Sequence, residues 1–144
     1  MNIDDLKESL FSYINKARNK SEIFIYEELK QRGIKGLVYS HIRIIVLLNI
    51  YGKLSMKEIS EKISRDKSTV TTLVNKLEKL GYIEKEISTK DKRIIYLTLK
   101  EKSNEIIDII IEVSNDFDKK VDKILSFEEK EALLKLMQKL INNF

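Results

Sequence analysis

A chain of 144 residues suits one domain, or one small domain with helices that pair it to a partner. It has no cysteine and one histidine, His41. Disulfides, thiolate nucleophiles, cysteine redox sensing and Cys-based zinc sites are therefore excluded, and a His-rich metal site or a histidine triad has no basis. The formal net charge is +4. From Gly52 to Lys100 twelve Lys or Arg stand against seven Asp or Glu, a local +5, so the remaining residues sum to −1 within that total. Positive charge gathered in one segment is expected where one surface meets a polyanion. No apolar run approaches the ~20 residues of a membrane span. Acids follow Met1 where a secretion signal would place bases, so a soluble, cytoplasmic protein without a membrane partner is expected.

The first helix is predicted over Ile3–Arg32, with Ile3, Leu6, Leu10, Tyr13, Ala17 and Phe24 in heptad spacing broken once at Lys20, and Gly33 and Gly36 ending it. A second is predicted after Ser40 as N-cap, carrying Ile42, Ile45, Val46 and Leu48 and stopping at Gly52. Ser55-Met56-Lys57-Glu58 is a capping box, which opens a short third helix ending near Ile63-Ser64. The fourth follows almost at once, with Asp66 as N-cap, and runs to Leu80 before Gly81. Ile83–Ile87 and Ile94–Leu99 read as two strands of a β-hairpin around a charged tip, Ser88–Arg93. Thr98–Glu101 is predicted as a second capping box launching a fifth helix with Ile107, Ile110, Ser114, Phe117, Val121 and Ile124 in heptad spacing. Ser126–Glu129 is a third, starting a last helix through Leu133, Leu136, Met137 and Leu140.

Two helices joined by a very short turn and followed by a basic hairpin describe a winged helix-turn-helix, in which the second helix enters a DNA major groove. On that helix Val70, Leu73, Val74, Leu77 and Leu80 gather on one side, which must face the core. Lys67, Ser68, Thr69, Thr72, Asn75 and Lys76 are the candidate contacts: hydroxyls and amides read base edges, and lysines neutralise phosphates. Arg65 in the turn is a further candidate. The wing candidates are Lys90, Asp91, Lys92 and Arg93, with Arg93 suited to a narrow minor groove and Asp91 placed to hold its guanidinium. An ordinary amphipathic helix and a solvated charge cluster are the alternative readings of each part alone.

The stretch from Leu54 to Glu101 resembles the MarR family of winged-helix regulators. The matching segments are Leu54–Ile59, Lys67–Thr71, Leu77–Ile83, Asp91-Lys92-Arg93 and Leu97-Thr98. The resemblance implies a homodimer, recognition by the fourth helix and the wing, and often a ligand pocket between the dimer helices and the DNA-binding lobe. It also implies that Arg93 enters the minor groove with Asp91 supporting it. Many members carry arginine where this chain has Thr72 and Lys85.

The expected architecture is mainly α with a small β-hairpin wing. Residues 37–100 form the winged-helix lobe, and residues 1–36 and 101–144 the dimerisation helices, whose stripes seek a second chain; packing on each other within one chain is the alternative. The expected partners are double-stranded DNA at a palindromic operator, a second copy of the chain and a small-molecule effector. Tyr13, Tyr39 and His41 are the candidate pocket residues, each also readable as an ordinary core, interface or helix-end residue. No cofactor, metal or catalytic residue is expected. The function read from the chain is a transcription regulator, most simply a repressor, and not an enzyme. The competing function is a winged-helix protein-interaction module that never touches DNA.

Overall fold

The computed structural model describes all 144 residues, in six helices and three strands. The helices are α1 (Leu10–Gln31), α2 (Tyr39–Tyr51), α3 (Met56–Ile63), α4 (Lys67–Lys79), α5 (Ser103–Asp122) and α6 (Phe127–Ile141). The strands β1 (Lys53–Ser55), β2 (Ile83–Ile87) and β3 (Ile95–Leu99) form an antiparallel sheet in the order β1-β3-β2.

Short-range chemistry sets most helix ends. The Ser55/Glu58 and Ser126/Glu129 capping boxes form as predicted, and the Asp66 carboxylate caps α4 by accepting from the Thr69 N–H at 2.7 Å. Gly81 ends α4 at φ +84°, in a Schellman turn in which the Tyr82 N–H donates to the Leu77 carbonyl and the Gly81 N–H to that of Glu78.

Three predicted helix starts shift. Residues 3–9 do not continue α1: Asp5–Glu8 form one 3-10 turn, and Ser9, in extended conformation, caps α1 by accepting from the Ser12 N–H at 3.2 Å. Ser40 is not an N-cap, because α2 begins at Tyr39 after an extended Val38. The N3 position belongs to His41, whose Nδ1 accepts from the Val38 N–H at 2.9 Å and does the work usually done by a glutamate. The Thr98–Glu101 capping box does not form. Thr98 lies in β3, opposite Lys53 on one side and Glu84 on the other, and this pairing to two strands outcompetes a local cap. Helix α5 starts at Ser103, whose hydroxyl donates to the Lys100 carbonyl at 2.6 Å. Strand β1 is a third strand outside the predicted hairpin. Its three residues are too few to show an alternating pattern, and only the pairing with β3 defines it.

The core lies in the lobe. Ile44 and Ile45 of α2, Ile59 of α3, Val74 and Leu77 of α4 and Leu97 of β3 are sealed from solvent. Leu29 of α1 and Ile106 and Val113 of α5 complete it. Burying each such side chain contributes about 1.5–3 kcal/mol. Helices α1 and α5 also pack on each other within the chain, with Phe24 edge-on to Phe117 at 5.6 Å between ring centroids. Arg32 bridges the same helices, meeting Glu28 on α1 and, at 2.7 Å, Asp116 on α5. The predicted stripes are thus divided. Phe24 and Phe117 pair inside the chain, while Leu10, Ile124 and Leu136 stay exposed, as do Phe11, Phe127 and Ile141 beside them.

Candidate nucleic-acid interface

The helix-turn-helix is built from α3, the turn Ser64–Asp66 and α4. Ser64 takes the left-handed conformation at φ 54°, which reverses the chain in one residue. The Ser60 hydroxyl donates to the Arg65 carbonyl at 2.5 Å and the Arg65 N–H returns to the Ser60 carbonyl at 3.2 Å. From α2, Arg43 donates to the carbonyls of Ile63 at 3.2 Å and Lys62 at 3.1 Å, two groups that the end of α3 leaves without helical partners. Two helices, α2 and α3, therefore fix the turn. The Asp66 carboxyl is held below its ordinary range, first by the Thr69 backbone N–H and then by the Ser68 hydroxyl, so a negative charge sits at the positive end of α4.

On α4 the inner side chains Val70, Leu73, Val74 and Leu77 are buried, and Lys67, Ser68, Thr72, Asn75 and Lys76 are exposed, with Thr69 half-buried. The Thr72 hydroxyl donates to the Ser68 carbonyl at 3.1 Å, which leaves its oxygen turned outward as an acceptor. The Asn75 Oδ1 accepts from the Lys85 Nζ at 2.6 Å, and that ammonium also faces Glu78 at 3.5 Å. Lys85 thus joins the outer face of α4 to the root of the wing. Lys76 is directed elsewhere: its Nζ donates to the Gly36 carbonyl in the linker between α1 and α2.

The wing tip is held by its own side chains. The Ser88 hydroxyl accepts from the N–H groups of Lys90 and Asp91, and the Asp91 carbonyl accepts from the Ile94 N–H at 3.0 Å. Asp91 grips Arg93 from both carboxylate oxygens. That pairing holds the Asp91 carboxyl below its ordinary range and raises Arg93. Arg93 is nevertheless 91% exposed, so it is posed and not sequestered. Lys90 and Lys92 are exposed with no carboxylate within 4.0 Å. A groove of about 760 Å³ lies between the wing and the helix pair, lined by Lys57 and Ser60 of α3, Lys67 of α4, and Arg93 and Tyr96 of the wing. The start of α4 and the wing arginine therefore face one space. Arg65 is exposed at the turn beside α4.

The three candidate pocket residues separate. Tyr39 lines an apolar cavity of about 300 Å³ between α1, α2 and α5, with Leu29, Ile42, Val46, Ile110 and Val113. Tyr13 is exposed near the start of α1, under the Lys16 ammonium. His41 is buried but outside that cavity, its imidazole value lowered first by burial and then by the charge of Lys76. Arg43, on the cavity wall, was not among the sequence candidates. Its signal was present: it is the one charged residue of the otherwise apolar or uncharged segment Tyr39–Tyr51. No group of three or more His, Cys, Asp or Glu residues is placed to hold a metal ion, and no helix is long and apolar enough to cross a membrane.

A family profile described as MarR family matches residues 37–95, from the end of the linker to the start of β3. The HTH-type transcriptional regulator BilQ of Clostridium symbiosum is 30% identical over 135 residues, which span 92% of this chain and 91% of that protein. The uncharacterized HTH-type transcriptional regulator YfiV of Bacillus subtilis is 32% identical over 92 residues, 64% of this chain and 58% of that one. Among solved structures, a mutant MarR from E. coli complexed with operator DNA superposes with a TM-score of 0.84 at 18% identity, covering 97% of this chain and 99% of that one. YusO of Bacillus subtilis matches over all of both chains with a TM-score of 0.66 at 20% identity. The full-length match to BilQ, the profile over the lobe and the shared winged-helix fold agree with the helix-turn-helix described above: the chain belongs to the MarR family of transcriptional regulators.

Proposed function

We propose that this chain acts as a homodimeric repressor, which binds a palindromic operator in double-stranded DNA and is released by a small-molecule effector. The observation that carries the reading is the shared surface. Ser68, Thr72 and Asn75 point outward from α4, and Lys67 at its start faces the same groove as Arg93 of the wing. Short hydrogen-bonding side chains suit base edges, and a posed arginine suits a narrow minor groove. The operator DNA bound by the MarR of similar fold is consistent with this reading. A protein seated on a promoter blocks access to it, and repression follows.

Residues 1–36 and 101–144 are assigned to dimerisation around the lobe of residues 37–100. The exposed Leu10, Phe11, Phe127, Leu136 and Ile141 support this, because apolar side chains of that size gathered near the two ends of a chain seek cover. Two-fold pairing sets two α4 helices into successive major grooves ~34–36 Å apart. The cavity beside Tyr39 is the effector site, since it is apolar, concave and built between the lobe and the outer helices. Selection of bound duplexes from a random pool tests the reading. Enrichment of an inverted repeat with half-site centres about 10 base pairs apart is expected. No enrichment of any duplex even at low salt would overturn it.

A further inference from the structure

Ser68, Thr72 and Asn75 follow one another at one-turn intervals on the outer face of α4. Two of them have spent their hydroxyl protons inside the chain. The Ser68 hydroxyl donates to the Asp66 carboxylate at 2.8 Å, and the Thr72 hydroxyl to the Ser68 carbonyl at 3.1 Å. Both therefore meet a ligand as acceptors. Asn75 is the reverse case. Its Oδ1 accepts from the Lys85 Nζ at 2.6 Å, and because an ammonium has no lone pair, that contact fixes which end of the amide faces it. The Nδ2, with no acceptor in the chain, is left as a donor on the exposed face. Strand β2 places Lys85 for this. It follows the buried Ile83 by two residues, so the pleat turns both toward the side of the sheet where α4 lies. Glu78, one turn beyond Asn75, faces the same ammonium at 3.5 Å, and the Lys85 side chain is 27% exposed. The ammonium is thus held between two α4 side chains and is not a free phosphate contact.

An asparagine free at both ends of its amide pairs with adenine, which offers a donor at N6 beside an acceptor at N7. With a cation on Oδ1, the N6 amino group meets positive charge. Guanine instead offers two acceptors, N7 and O6, side by side. We propose that Lys85 is a specificity-determining residue, which acts through Asn75 and turns its preference in the major groove from adenine to guanine. This rests on the reading of the chain as a DNA-binding regulator and names the base chemistry of that same surface. Lys85 is a positioning residue: Asn75 touches the base, and Lys85 sets which end of the amide is shown to it.

Duplex selection with the native chain, followed by fluorescence anisotropy on the selected duplex and its single-base variants, tests this. Asn75→Ala identifies the position concerned, as the one where base preference levels while the other positions keep theirs. There the native chain should favour guanine over adenine by about tenfold. Lys85→Met keeps the length of the stem and removes the ammonium, and should bring that ratio to one or below. Lys85→Arg, which restores a cation beside Oδ1, should keep guanine ahead. A merely structural role for Lys85 would lower affinity for every duplex alike and leave the ratio in place. Adenine favoured by the native chain, a ratio unmoved by Lys85→Met, or preferences at every position unmoved by Asn75→Ala would each overturn the proposal and leave the regulator reading standing. No enrichment of any duplex would take down both.

Discussion

Asp91 holds Arg93 by three bonds, accepting from its backbone N–H at 3.0 Å, its Nε at 3.1 Å and its Nη2 at 3.0 Å. The arginine is thereby posed in solvent, and in the proposed contact with DNA less of its side-chain entropy would be lost. Arg93→Ala should lower duplex affinity about ten- to a hundredfold, read by fluorescence anisotropy on a selected duplex. Asp91→Ala keeps the cation but frees it, so its loss should be smaller. An affinity unmoved by Arg93→Ala removes the wing from the contact.

Two lysines among the candidate DNA contacts, one on the wing and one on α4, are placed in different settings. Lys90 is free at the wing tip, and Lys76 is bonded to the Gly36 carbonyl of the linker. Lys90→Ala should therefore lower the slope of log affinity against log salt by about one. Lys76→Ala should leave that slope in place and lower the melting temperature. Titrations at several salt concentrations, with a thermal melt of each variant, separate the two roles.

Opposite faces of α4 should answer differently to truncation. Leu77 is sealed in the core, so Leu77→Ala should cost about 2–5 kcal/mol in urea unfolding. Thr72 is exposed and donates only to its own helix, so Thr72→Ala should stay within about 0.5 kcal/mol in stability while weakening duplex binding. A stability loss at Thr72 like that at Leu77 would show the helix rotated from the orientation described.

His41 makes stability depend on pH near neutrality. Burial and the nearby Lys76 charge hold its imidazole below the ordinary value of 6.5, and its Nδ1 accepts the Val38 N–H only when unprotonated. As pH falls through 6.5 the unfolded chain takes up the proton first, so stability is complete above that value and declines toward the lower, folded one. Urea midpoints should be lower at about pH 5.5 than at about pH 7.5. In His41→Gln this difference should shrink; an equal drop in the variant would assign it to other groups.

In the proposed homodimer the exposed ends of the outer helices form the interface. Leu10→Asp or Phe127→Asp should give a monomer in sedimentation equilibrium without loss of helix content, because both side chains are exposed in the single chain. Phe117→Asp is expected to destabilise the chain itself, since Phe117 packs on Phe24 within it. A stable dimer in both of the first two variants would place the interface elsewhere.

The capping boxes at Ser55 and Ser126, the Asp66 cap, the Gly81 stop and the inner and outer faces of α4 were all legible in the sequence. Each is decided within one or two helical turns, where hydrogen-bond chemistry and the 3.6-residue period leave little choice. The family resemblance drew on the same local segments. What the sequence could not determine depends on groups far apart in the chain. Strand β1 exists only through β3, and Thr98 abandons its cap for that pairing. Lys76 finds a carbonyl forty residues away, the predicted heptad stripes divide between Phe24–Phe117 packing and exposed ends, and Arg43 reaches across twenty residues to hold the recognition turn. Such contacts are settled by which buried polar group still needs a partner once the core has closed, and no local pattern encodes that.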